Sequence, residues 1–177
     1  MYRDTARAVG RLFAANGITL VFGGGRVGMM GAVAEAVIAA GGKAIGVIPE
    51  GLRRKELAYD GLTELIVTNT MHERKQRMAD LSDGFVALPG GFGTFEEFCE
   101  ILTWAQLGLH EKPCGLLNVK GYYTPLLTLF DHALTEGFLK PLYRQLVITS
   151  DDPQRLLEAM STYRPPALEK WLTPETA

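Results

Sequence analysis

Two short apolar runs in this chain end in glycine. Residues 18–22 (ITLVF) stop at Gly23-Gly24-Gly25, and residues 84–88 (GFVAL) stop at Pro89-Gly90-Gly91. An apolar run of this length bounded by breakers reads as a buried strand. A helical pattern follows the glycines in both places. Strand, glycine turn and helix in that order belong to a parallel sheet, because the helix carries the chain back over the sheet before the next strand pairs. Glycine is correspondingly frequent, with twenty in 177 residues where an average chain has about 7%.

The same alternation runs through the rest of the chain. Residues 3–15 place Ala6, Val9, Leu12 and Phe13 at helical spacing and stop at Asn16-Gly17, a helix terminator. Further helices are expected at 28–40, 71–81, 94–107, 122–136 and 153–163, and strands at 43–48, 63–68, 114–118 and 146–149. Residues 50–62 show no period and read as a loop containing Arg53, Arg54 and Lys55. The expectation is an α/β fold, a Rossmann-like doubly wound parallel sheet with helices on both faces. One domain would span 1–164, with a loosely held tail at 165–177 containing Pro165, Pro166 and Pro174.

Composition removes several function classes. Eighteen basic against twenty acidic residues give a net charge of -2, which argues against broad electrostatic binding to nucleic acid. No apolar run reaches the ~18 residues of a membrane span, and residues 1–17 read as an amphipathic helix rather than a signal peptide. Cys99 and Cys114 carry no metal-ligand spacing and read as reduced core thiols of a cytosolic protein. His72, His110 and His132 share no spacing with Asp or Cys, so no metal site is expected; Ser82 and Ser150 lack a nucleophile-elbow context.

The chemistry concentrates at the glycine clusters, since ligands of open parallel sheets bind outside the carboxyl ends of the strands. The first cluster supplies Gly23, Gly24, Gly25, Gly28 and Gly31 in a G-x-G-x-x-G spacing. Glycines there let backbone N–H groups approach a phosphate, and the helix N-terminus adds favourable partial charge. They serve equally well for a tight turn and close helix–sheet packing. A dinucleotide site wants an acid at the end of the next strand. Glu50 follows Pro49 and lies just past it, so a nicotinamide reading has little support. No GK[ST] follows the glycines, which excludes a Walker loop.

The second cluster, PGGFGTFEE over residues 89–97, again runs from a strand into a helix expected to begin at Thr94. Two such loops exceed what a dinucleotide fold requires and suggest a grip on a phosphorylated sugar. Glu97 has two readings: the acid of a Thr94–Glu97 capping box, or a functional carboxylate on the sugar side of the cradle. In the helix 71–81, Met71, Arg74, Met78 and Leu81 form one stripe. Arg74 either holds a partnered charge against the buried face or snorkels to water. Lys75 and Arg77 look like a solvated face.

The stretches GGGRVGMMG, MHERKQRMADLSDGFVALPGGFGTFEE and ILTWAQLGLHEKP resemble the LOG (Lonely Guy) family of cytokinin riboside 5′-monophosphate phosphoribohydrolases, also described as "possible lysine decarboxylases". The likeness covers residues 2–164, and PGGxGTxxE with the upstream Arg-Lys pair is specific to the family. It implies hydrolysis of the N-glycosidic bond of adenine-type nucleoside 5′-monophosphates to free base and ribose 5-phosphate. Arg74 and Glu97 match the family's catalytic residues. Lys75, Glu56, Gly91, Phe92, Gly93, Thr94, Phe95, Glu96 and Thr103 match substrate-binding positions. The resemblance implies no metal, no cofactor, and a homodimer or higher homo-oligomer with its site near the subunit interface. The family's usual first strand, with a phosphate-holding Gly-Ser turn, would precede Tyr2. A shortened sequence, or a member without that central strand, is expected, the latter with consequences for phosphate grip and strand pairing.

A non-catalytic nucleotide-binding or signalling module on the same fold is the alternative, and it predicts AMP binding without product. Lysine decarboxylation finds no support, because no lysine stands in a recognisable pyridoxal-phosphate context.

Overall fold

The computed structural model describes residues 1–53, 59 and 61–167. Glu56, Arg54, Lys55 and the tail from 168 onward lie outside the described residues. The chain divides into two units, Met1–Ser82 and Asp83–Ala177, each carrying its own parallel ladder.

In the first unit, α1 (Tyr2–Ala15) leads into β1 (Leu20–Phe22), α2 (Gly28–Ala39), β2 (Ala44–Pro49), α3 (Glu50–Arg53), β3 (Glu64–Thr68) and α4 (Met71–Leu81). The turn Asn16-Gly17 ends α1 as expected: Asn16 Nδ2 donates to the Leu12 carbonyl at 2.8 Å, and Gly17 takes φ +66°. The strand order is β1-β2-β3, with Leu20 opposite Ala44 and Ile45 opposite Glu64. The middle strand β2 is almost wholly buried, and Val47 and Ile48 have no exposed surface. Each such side chain contributes about 1.5–3 kcal/mol of burial. A continuous apolar run is what a central parallel strand requires.

The second unit holds β4 (Phe85–Ala87), α5 (Phe92–Leu107), β5 (Cys114–Leu117), a 3₁₀ turn at Val119–Gly121, α6 (Thr124–Thr135), α7 (Pro141–Arg144), β6 (Val147–Ser150) and α8 (Pro153–Ser161). Its ladder order is β4-β5-β6. β5 is buried at every position, and its core gathers Ala87, Phe98, Cys114, Leu116 and Tyr123. Asp152 caps α8 by accepting the Arg155 N–H at 2.9 Å, with Pro153 in the first turn.

Several expectations are corrected. The helix expected from Thr94 begins at Phe92, and the one expected from 122 begins at Thr124 after the 3₁₀ turn. The loop expected at 50–62 opens with the short helix α3, closed by an ion pair between Arg53 and Glu50 at 3.6 Å. Cys99 is exposed while Cys114 is buried, so only the second is a core thiol. Lys75 is half-buried rather than solvated, whereas Arg77 is exposed. Pro165, which is exposed, and Pro166 border a small cleft with His110 and Tyr163.

Candidate functional site

In the first unit the glycine loop is built around an arginine. Arg74 is 7% exposed, which rules out snorkelling. Its Nε donates to the Val47 carbonyl near the end of β2 at 3.1 Å, and Nη1 lies 3.9 Å from Met71 Sδ. The guanidinium is laid over Gly23: a Cβ there would stand 2.1 Å from Nη2. Gly23 is therefore glycine because the arginine occupies the space a side chain would fill. A buried guanidinium is tolerated only with polar partners, and the Val47 carbonyl is one of them.

The remaining glycines of this loop shape its turn into α2. Gly24 and Gly28 take φ +76° and +74°. Gly31 admits the Arg26 carbonyl, which would meet a Cβ at 1.8 Å. Gly25 is buried beside them. At the rim Arg26 lies 5.6 Å from the centre of the Tyr59 ring and 3.9 Å from Glu35. α2 starts at Gly28 with Val27 as its cap residue, no side-chain cap and no acid in its first turn. Its first N–H groups thus have no intrahelical or capping acceptor, the arrangement that suits an anion.

α4 differs at this point. Thr70 accepts the Glu73 N–H at 3.1 Å, and the Glu73 carboxylate accepts the Asn69 N–H at 2.8 Å. This near relative of a capping box closes the helix to an anion while holding Arg74 one turn in.

In the second unit the loop from Leu88 to Gly91 feeds α5. Gly91 is the cap residue, with no side-chain cap and no acid in the first turn. A Cβ on Gly91 or Gly93 would meet nothing within 4 Å, so the mouth of the loop is open. Phe92 stands 92% exposed at this mouth. Thr94 is not the cap: its hydroxyl folds back over Gly90, where a Cβ would approach it to 2.2 Å. The capping-box reading of Glu97 fails with it. Glu97 lies half-buried on the second turn of α5, Glu96 is exposed, and Phe95 packs edge-on against Tyr123 at 6.3 Å.

Thr103 is placed apart from this loop. It lies ~16 Å along α5 from Phe92 at the helical rise of about 1.5 Å per residue. Its hydroxyl donates to the Cys99 carbonyl at 2.8 Å, and it lines a groove of ≈160 Å³ with Leu102, Phe130 and Tyr143. Among the described residues no group of three or more His, Cys, Asp or Glu is placed to hold a metal ion, and no helix is long and apolar enough to cross a membrane.

Tyr122 and Tyr123 carry no functional signal in the local sequence. Their hydroxyls donate to the carbonyls of Gly90 and Leu88 respectively. Those partners stand more than thirty residues away in sequence, where no local spacing announces them.

Parallel sheets with helices on both sides, whose strands run into glycine turns at uncapped helices, define a Rossmann-like α/β protein. Solved structures agree. The molybdenum cofactor binding protein of Rippkaea orientalis matches with TM-score 0.68 at 22% identity, over 91% of this chain and 86% of that one. TM1055 matches with TM-score 0.68 at 25% identity, over 91% and 88%. The family described as "Possible lysine decarboxylase" matches residues 30–160. A cytokinin riboside 5′-monophosphate phosphoribohydrolase of Rhodococcoides fascians is 50% identical over 90% of this chain and 81% of its own length. The enzyme of that name, LOG5, from Arabidopsis thaliana is 45% identical over 93% and 72%. The chain belongs to the LOG family of phosphoribohydrolases, for which "possible lysine decarboxylase" is a second description.

Proposed function

We propose that the protein hydrolyses the N-glycosidic bond of adenosine 5′-monophosphates, N6-substituted or plain. Nucleotide and water become free base, a cytokinin or adenine, and ribose 5-phosphate. The observation that carries the reading is the start of α5: an open glycine loop, an uncapped helix N-terminus without a first-turn acid, and a half-buried carboxylate, Glu97, one turn further. The relatives' names supply the reaction class.

Cleavage of a ribosyl–adenine bond builds positive charge on the sugar, so a carboxylate aimed at that carbon stabilises the transition state and orients the attacking water. Glu97 takes that role, and the proton passes to the departing base. Arg74, its guanidinium plane set by the Val47 carbonyl, supplies fixed positive charge for the phosphate. The remaining phosphate charge is assigned to backbone N–H groups of the glycine loops and to Lys75. Phe92 to Glu96, Glu56 and Thr103 complete substrate binding. The position of Thr103 far along α5 suits a contribution to the site of a second copy in a cytosolic homodimer or higher homo-oligomer.

The test is chromatographic. AMP and isopentenyladenosine monophosphate are incubated with the wild type and with Glu97→Gln, and free base is measured. Loss of one aimed group costs ~100- to 1,000-fold, so the mutant should release base at under ~1% of the wild-type rate. Equal release by the two proteins removes Glu97 from the mechanism. Saturable AMP binding by folded wild type without base release points to the binding-module alternative.

A further inference from the structure

We infer that Tyr122 and Tyr123 are positioning residues for the ligand-facing backbone of the second glycine loop. The inference rests on the reading of that loop as the nucleotide site. The two tyrosines leave the 3₁₀ turn that follows β5, where Lys120 and Gly121 both take left-handed backbone, φ +53° and +72°. Lys120 is the one non-glycine residue with positive φ among the described residues. Such outliers are retained where the surrounding structure over-determines them. Asn118 does so here: its Oδ1 accepts the Tyr123 N–H at 2.7 Å, and its Nδ2 donates to Thr124 Oγ1 at 3.2 Å. Asn118 is itself held to the ladder end by donating its N–H to the Ser150 carbonyl at 2.8 Å.

The turn delivers two hydroxyls to two alternate carbonyls of one loop. Tyr123, 1% exposed, donates to the Leu88 carbonyl at 2.6 Å, and Tyr122 donates to the Gly90 carbonyl. The rings brace each other edge-on at 5.1 Å. Burial, reinforced by Tyr122, pushes the Tyr123 hydroxyl well above the usual phenol range, so it remains a donor.

The consequence follows from peptide geometry. A trans peptide holds its carbonyl and the following N–H antiparallel. Once Tyr122 takes the Gly90 carbonyl, the Gly91 N–H must point the opposite way. That N–H is the first of the donors at the N-terminus of α5. Glycines at 90 and 91 leave this backbone otherwise free to rotate; the tyrosines remove that freedom before a ligand arrives. Binding then does not carry the ordering cost. The ligand class is a phosphate-bearing one, since an outward N–H at a helix N-terminus selects an anion.

The experiment compares Tyr122→Phe and Tyr123→Phe with the wild-type full chain. Each change removes a hydroxyl and keeps the ring. Affinities for AMP and for adenosine are measured by calorimetry, with melting temperatures and base release alongside. Tyr122→Phe should weaken AMP about 5- to 10-fold, as one net hydrogen bond suggests, with adenosine changed less than twofold. In turnover the effect should appear in KM more than in kcat. Tyr122 is partly exposed, at 37%, so this variant tests the inference even if Tyr123→Phe fails to fold. Unchanged AMP affinity overturns the inference, as does an equal loss for AMP and adenosine, the mark of general loosening. A wild type that binds AMP and frees no base overturns the hydrolase reading alone, because the AMP-to-adenosine comparison still decides this one.

Discussion

Gly23→Ala isolates the packing that holds Arg74. Gly23 is not in the left-handed region, so alanine brings no backbone strain; the whole effect comes from one methyl group. Its position is 2.1 Å from Arg74 Nη2 and 3.2 Å from both Arg74 Cζ and Met30 Sδ. Non-bonded heavy atoms settle about 3.5–4.0 Å apart, so the guanidinium must retreat by more than ~1 Å. Arg74 is buried and its Nε is bonded to the Val47 carbonyl at 3.1 Å, so retreat breaks that bond. A hydrogen bond from a charged group is worth ~1.5–3 kcal/mol. The expected destabilisation is ~2 kcal/mol, a fall in Tm of about 4–8 °C for a chain of this size. In the role proposed for Arg74, displacement of the group costs on the order of 100-fold in rate, so base release should fall by that factor. The decisive assay is a double-mutant cycle with Arg74→Ala, read by thermal unfolding. With the guanidinium gone, alanine at 23 should cost under ~0.5 kcal/mol. An equal cost in both backgrounds would refute the reasoning.

His110 and the cysteines give two further predictions. His110 Nδ1 accepts the Lys112 N–H at 3.1 Å, so its Nε2 carries the proton and donates to the Ile101 carbonyl at 2.9 Å. Burial, with a smaller push from the Lys112 charge, holds its pKa below the ordinary 6.5, against the Ile101 bond, which raises it. The unfolded chain therefore binds the proton more readily, and stability falls as pH drops below about 6.5. Melting curves between pH 7.5 and 5.5 should show this slope, and His110→Gln should flatten it; a wild-type slope of the opposite sign removes the assignment. Cys114 is buried, which pushes its thiol up to about 12, while Cys99 is exposed on α5. A thiol reagent at pH 8 should modify Cys99 in the native protein and Cys114 only after unfolding, as peptide mass mapping would show.

Local patterns carried most of the fold. Helix α4 occupies Met71–Leu81, the span its stripe predicts, because the period fills all eleven residues and the caps Thr70 and Ser82 directly flank them. The start of α5 was less legible: Gly91 serves as cap and the first turn contains Phe92-Gly93, a composition that reads as loop. α7 has four residues, too few for a period to appear. Arg74 shows where local reasoning stops. Its place on an apolar stripe is visible in the sequence, but the choice between burial and snorkelling depends on Val47, twenty-seven residues earlier. The sequence leaves Glu97 between two roles for a similar reason: only the backbone shows that Thr94 lies inside the helix and is not its cap residue.

In both ladders the strands stand side by side in the order in which the chain presents them. β2 pairs with β1 and β3 with β2; β5 pairs with β4 and β6 with β5. During synthesis, every strand after the first in its ladder therefore leaves the ribosome with its partner already made. The loop to be closed is a single crossover each time, and closure cost rises only slowly with its length. The most buried strands, β2 and β5, are the second to emerge in their ladders. Each spends little time as an exposed apolar ribbon, because a template precedes it and a cover follows.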